Sequence, residues 1–164
     1  MKQITEQEAY LRLAALCAQG EHCQYEMAGK MQRWGLNDDA QSRVLERLIQ
    51  ERYVDDERFT RAFIKYNMVF NKWGRRKIEQ SQWQKHINED IRQRCLDDVA
   101  DEEYLAILRP LLKQKRKSTK AKNDYELNQK LMRFALGRGF TYDLIRQCID
   151  IAEFDEDELV EQIP

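Results

Sequence analysis

Three groups of residues in this chain of 164 residues have the types that chemistry uses. Asp55-Asp56 could hold a metal or share a proton. Neighbouring residues at a helix start point to different faces, and two carboxylates that share a proton need converging side chains. No His or Cys lies close by in sequence, so the pair reads as a helix N-cap whose charge complements the helix dipole. His22-Cys23 together with Cys17 offers nitrogen and sulfur donors. A structural zinc site needs four such ligands at short characteristic spacings. The chain has 2 histidines, His22 and His86, far apart in sequence. Cys–His nucleophilic chemistry is equally unsupported. Gly74, Gly137 and Gly139 do not make the G-x-x-x-x-G-K loop that cradles phosphates. No constellation of nucleophile, base and electrophile is present. The sequence therefore predicts no catalytic residue, no metal site and no cofactor.

Charge is more informative. The formal net charge is −1, but its distribution is uneven. Residues 58–86 hold 8 basic residues and 1 acidic, net +7, and residues 113–138 hold 9 and 2, again net +7. The blocks 1–57 and 87–112 each carry −4, and residues 139–164 carry −7. Local fields of this kind act where the average does not. They point to a polyanion or to an acidic protein groove. Arg58, Arg61 and Lys65 fall at i, i+3, i+7, on one helical face. Arg75, Arg76 and Lys77 open the next helix, where cations oppose the helix dipole, so stability does not explain them and binding does. Lys130, Arg133 and Arg138 are the corresponding candidates in the second basic segment. Trp73 could stack on a base. Packing is the preferred reading, because single-strand binders show several exposed aromatics.

The elements that position these residues are helical. Pro number 2 and Gly number 6 in the whole chain, and Lys, Arg, Glu, Gln and Leu, which lose little rotamer freedom in a helix, dominate. Three segments repeat one pattern around Leu36, Ile87 and Phe140. Nine residues before each lies an apolar residue (Met27, Ile78, Leu131), and one residue after each lies a cap type (Asn37, Asn88, Thr141). This reads as helix, short turn, N-capped helix, with Gly35 and Gly139 suited to the turn. A further helix precedes each pair. Thr5 with Glu8 caps the first of these; Phe59, Ala62, Phe63, Tyr66 and Phe70 form the apolar stripe of the second; the third contains Pro110, expected to kink or split it. The predicted helices cover 5–18, 23–34, 38–51, 56–70, 74–86, 89–99, 102–116, 123–137 and 142–152, with Lys113–Asn123 as the best loop candidate.

The predicted fold class is therefore all-α, a tandem repeat of three three-helix units: 1–52, 53–100 and 101–152, followed by an acidic tail, 153–164. One such unit has a thin core, so neighbouring units should stack into an elongated, curved array. Apolar runs are too short for a membrane span, the N-terminus lacks an apolar signal core, and Cys17, Cys23, Cys95 and Cys148 read as buried free thiols. These features predict a cytoplasmic protein that does not engage a membrane; a monomer is expected.

Tyr53-Val54-Asp55-Asp56-Glu57-Arg58-Phe59, followed by Trp73-Gly74-Arg75-Arg76-Lys77-Ile78, resembles the signature of the RecX family of recombination regulators. Glu26-Met27 and Lys30-Met31 resemble the family's Glu-Leu and Lys-Leu, and Arg133-Phe134 with Arg138-Gly139-Phe140 its Arg-Phe and Arg-Gly-aromatic. The likeness covers about residues 6–152. Three departures stand out: Arg52 where the family usually has Gly, His86 for the Gly of Lys-Gly-Ile, and Gln82, beside Trp83, where the family has Leu. The resemblance implies a non-catalytic protein that binds RecA or RecA–DNA filaments, with contacts to RecA and to single- or double-stranded DNA. It further implies inhibition of recombinase and ATPase activity in recombination, DNA repair and the SOS response. Arg58, Arg61, Lys65, Arg75, Arg76, Lys77, Lys130, Arg133 and Arg138 are the expected contacts. The alternatives are a general DNA-binding helical protein and a helical-repeat interaction scaffold without nucleic acid.

Overall fold

A computed structural model describes residues 3–149, and every regular element among them is helical. The helices are α1 (Glu6–Gln19), α2 (Gln24–Arg33), α3 (Asp38–Gln50), α4 (Asp56–Val69), α5 (Arg75–Gln82), α6 (Glu89–Asp97), α7 (Asp101–Ser118), α8 (Asp124–Gly137) and α9 (Tyr142–Ile145). A 3-10 turn, Trp83–Lys85, follows α5. The acidic tail expected at 153–164 lies outside the described residues.

Side-chain caps explain most helix starts. The Thr5 hydroxyl accepts from Glu8 N at 3.1 Å, Asn37 from Ala40 N at 2.8 Å, Asn88 from Asp90 N at 2.9 Å and Asn123 from Glu126 N at 2.8 Å. Thr141 departs from expectation: it holds the cap position, but its side chain makes no cap hydrogen bond. The helix that follows ends at Ile145 and continues as a turn to Ile149; the end of the expected helix, residues 150–152, lies outside the described residues.

The turns repeat too. Gly35, His86 and Gly139 immediately precede the buried anchors Leu36, Ile87 and Phe140, and all three have left-handed backbone, with φ of 78, 51 and 92°. His86 thus adopts the conformation that its counterparts reach as glycine. Its ring stacks on Tyr25 at 4.3 Å between centroids, which offsets part of the steric cost. Arg52, the other departure from a family glycine, is also left-handed, with φ 63°.

Three expectations are corrected. α7 is one continuous helix through Pro110. Its buried stripe, Tyr104, Leu105, Leu108 and Leu112, continues on both sides of the proline and holds the helix together. The helix expected over 102–116 runs on to Ser118, so the loop candidate 113–123 shrinks to residues 119–123. The apolar stripe of α4 is rotated from its expected position. Phe59 is buried, but Ala62, Tyr66 and Phe70 are exposed, and the inward face also carries Thr60, Ile64, Asn67 and Met68. Two polar residues disguised that face. Thr60 donates to Asp56 O at 2.7 Å, and Asn67 accepts from the Asn71 amide at 2.7 Å, so both are satisfied locally.

The described residues divide into two compact units, 3–63 with 82–95, and 64–81 with 96–149. In the first, α3 packs on α1 and α2 over Leu13, Met27, Met31, Val44 and Leu48. A second cluster there joins Cys23, Phe59 and Ile87, with Phe63 and Ile91 against it. In the second unit α7, α8 and α9 pack on one another, burying Leu105, Leu108, Leu131, Met132, Phe140 and Ile145. The four cysteines are free; Cys23 and Cys95 are buried, Cys17 and Cys148 half-buried.

Candidate polyanion-binding surface

In the first unit, Asp55 and Asp56 have separate structural duties. Asp55 accepts from Arg58 N at 3.0 Å and caps α4. Asp56 turns away and accepts from Gln24 N at 2.9 Å, capping α2. Its half-buried position pushes the carboxyl above its ordinary range, an effect partly opposed by the Gln24 hydrogen bond. The cap reading holds for Asp55; Asp56 instead serves the start of another helix, which the sequence did not reveal.

Arg58 is held on three sides. It meets Glu21 at 2.7 Å and donates to the carbonyls of Arg52 at 3.0 Å and Tyr53 at 3.2 Å. The guanidinium ties the turn before α4 to Glu21, a positioning role alongside any contact with a ligand. Arg61 pairs with Glu57 at 3.2 Å, and Arg94 reaches the same carboxylate at 3.0 Å. Those two cations hold the Glu57 carboxyl below its ordinary range.

The second unit brings the two basic segments together. Gly74 N donates to Arg138 O at 2.8 Å, and Arg76 N donates to Gly139 O at 3.0 Å. The carbonyls that follow α8 therefore satisfy backbone donors at the start of α5. This also answers the electrostatic question posed by Arg75-Arg76-Lys77: carbonyl dipoles face the helix end that those cations would otherwise burden. The backbones approach so closely that only glycine fits. A Cβ at Gly74 would lie 2.4 Å from Phe140 N, and one at Gly139 2.5 Å from Lys77 N. From the α8 side, Arg138 donates to Asn71 O at 2.8 Å.

Around this junction the cations are partly anchored and partly exposed. Arg75 is bonded to Asp97 at 2.6 Å. Arg76 is exposed, and Lys77 lies over the half-buried Trp73 ring at 5.0 Å from its centroid. Phe134 has two cations against it, Lys115 at 4.8 Å and Arg138 at 5.3 Å from the ring centroid. Arg133, next to Phe134 on α8, is half-buried. Lys130 pairs with Glu126 at 3.2 Å and donates to Lys120 O at 2.7 Å. Lys65 is exposed on α4. Sequence reasoning left Lys115 and Arg116 where the expected helix 102–116 overlaps the loop candidate 113–123, and missed their part in this surface. Arg116 in fact donates to Asn128 at 3.0 Å. The signal was the spacing of Lys115 from Leu112 and Leu108, which continues the helix.

No group of three or more His, Cys, Asp and Glu that could hold a metal ion occurs among the described residues. No helix among them is long and apolar enough to cross a membrane.

Comparison with known proteins identifies the helical units. Residues 55–96 match the RecX second three-helix domain, and residues 101–149 the RecX third three-helix domain. The regulatory protein RecX of Prosthecochloris aestuarii is 32% identical over 131 residues, spanning 79% of this chain and 83% of that protein. The chain belongs to the RecX family. RecX of Chlorobium limicola is 28% identical over 151 residues and is covered to 92% of its length. RecX of Lactobacillus johnsonii is 28% identical over 134 residues, which span 82% of this chain but only 49% of that protein. The chain thus spans about half the length of some RecX relatives and nearly all of others. The crystal structure of RecX from Lactobacillus salivarius has the same fold, with a TM-score of 0.75 at 17% identity, covering 96% of both chains. A second RecX crystal structure gives a TM-score of 0.77 at 16% identity over 89% of this chain and 73% of the other. The same fold is thus kept across wide sequence difference.

Proposed function

We propose that this protein is a non-catalytic cytoplasmic regulator that binds RecA or RecA–DNA filaments and inhibits recombinase and ATPase activity in recombination and DNA repair. The observation that carries the reading is the junction of the second unit, where backbone hydrogen bonds join the two basic segments. A basic surface assembled from two distant segments, on a chain of net charge −1, suits an anionic filament groove better than a diffuse attraction to any polyanion. The repeats 1–52, 53–100 and 101–152 would each supply a weak contact. Linked contacts gain affinity through effective concentration.

Arg61, Lys65, Arg76, Lys77, Lys130, Arg133 and Arg138 would meet acidic RecA surface or phosphate. Arg58 and Arg75 would chiefly position their neighbours, given their bonds to Glu21 and Asp97. Occupying the groove would block DNA entry or the conformational cycle coupled to ATP hydrolysis.

The test is the DNA-dependent ATPase of the cognate RecA on single-stranded DNA, titrated with this protein. Progressive inhibition near stoichiometric ratios supports the proposal. Unchanged ATPase with saturable binding to bare DNA favours a general DNA-binding protein. No effect in either assay favours a protein-interaction scaffold.

A further inference from the structure

The C-terminal end of α4 carries an aromatic pair that the fold does not use. Tyr66 and Phe70 are 57% and 69% exposed, and Val69 between them is 40% exposed. The two rings lie 4.9 Å apart between centroids, tilted by 37°. They stand at i and i+4, so the helix itself holds them side by side. The ring contact stabilises the helix only slightly, and an aromatic cluster left exposed marks an interaction site.

The surroundings decide what would cover it. Between Ile64 and Ser81 the chain has the cations Lys65, Lys72, Arg75, Arg76 and Lys77 against the single acid Glu79. Lys65 precedes Tyr66 directly, and Lys72 lies two residues after Phe70; both are exposed. Arg138 bonds to the carbonyl of Asn71, the residue next to Phe70. A purely apolar protein pocket would have to desolvate these cations, whereas a duplex keeps its base faces stacked out of reach. A polyanion with free π-faces satisfies both features.

We propose that Tyr66 and Phe70 stack on the bases of single-stranded nucleic acid while Lys65 and Lys72 meet its phosphates. This deepens the reading above by naming the partner of the basic surface and giving it a preference for single strands over duplex.

The experiment measures affinity of the full chain for a fluorescent oligothymidylate and for a duplex of equal length, without RecA, across a salt series. Tyr66→Ala and Phe70→Ala should each weaken single-strand binding about tenfold, leave the duplex nearly unaffected and keep the salt slope. Tyr66→Phe should bind as wild type. Lys65→Gln with Lys72→Gln should instead flatten the salt slope by about one per lost phosphate contact. Wild-type affinity in both ring variants, or equal losses on single strand and duplex, would overturn the proposal. If the ring variants keep oligonucleotide binding and lose only RecA inhibition, the pair is a protein anchor; the stacking inference then fails while the regulatory reading stands. If RecA is unaffected but the rings govern single-strand affinity, the regulatory reading fails and this inference stands.

Discussion

Replacing Gly74 by alanine tests the junction that gathers the cations. The added Cβ would lie 2.4 Å from Phe140 N, 2.5 Å from Gly139 C and 2.5 Å from Phe140 Cα. Those are backbone atoms of a packed turn, and no side chain can rotate aside to relieve the clash. Separating the two segments stretches Gly74 N to Arg138 O, now 2.8 Å, and Arg76 N to Gly139 O, now 3.0 Å. Each such bond contributes about 1 kcal/mol net, and a donor left buried and unpaired costs about 1–3 kcal/mol. Alanine recovers less than about 1 kcal/mol through lower chain entropy. The expected loss is about 2–4 kcal/mol, a fall in urea midpoint of about 1–2 M by far-ultraviolet circular dichroism. Gly137→Ala is the control: nothing lies within 4 Å of its Cβ, and it ends α8 with ordinary backbone. It should be neutral or slightly stabilising. An unchanged midpoint for Gly74→Ala would refute the claim that backbone contact holds the basic segments together.

Three further substitutions follow from buried or strained positions. Gln82 is 1% exposed, and neither amide atom has a hydrogen-bond partner among the described residues; Gln82→Leu should raise stability by about 1–3 kcal/mol in the same assay. Arg52→Gly removes a left-handed non-glycine, φ 63°, while keeping the carbonyl that Arg58 uses, and should stabilise by about 1 kcal/mol; a lower midpoint would show that the Arg52 side chain contributes unseen support. The Asp56 carboxyl is raised by burial, so it favours folding most when protonated, below the unfolded carboxylate range, and that contribution is lost as pH rises through its folded value. Asp56→Asn keeps an acceptor for Gln24 N and should be more stable relative to wild type at pH 7 than at pH 4, measured by midpoints at the two pH values.

Much of the helical plan was readable because caps, turns and anchors recur together. Asn37, Asn88 and Asn123 cap as their residue types suggest, and Leu36, Ile87 and Phe140 are buried where the repeat places them. α4 was misread because locally bonded Thr60 and Asn67 made a buried face look polar, and exposed Tyr66 and Phe70 made a solvent face look apolar. Hydropathy reports transfer free energy, whereas burial depends on whether each polar atom finds a partner. Pro110 misled for a related reason, since helix packing outweighed its local penalty. At the candidate site the cations were legible by type and spacing. Their grouping was not, because it depends on hydrogen bonds between residues 74–76 and 138–139, far apart in sequence. Gly74 and Gly139 were the visible trace of that contact.

The most direct test of the basic surface is co-sedimentation with RecA filaments assembled on single-stranded DNA, measured over a salt series. Wild type should pellet with the filaments, and the combined variant Arg76→Gln, Lys77→Gln, Arg133→Gln should bind more weakly. If these cations meet phosphate, its salt slope should fall by about one for each lost contact. Equal affinity and equal slope in wild type and variant would contradict the assignment of filament binding to these cations.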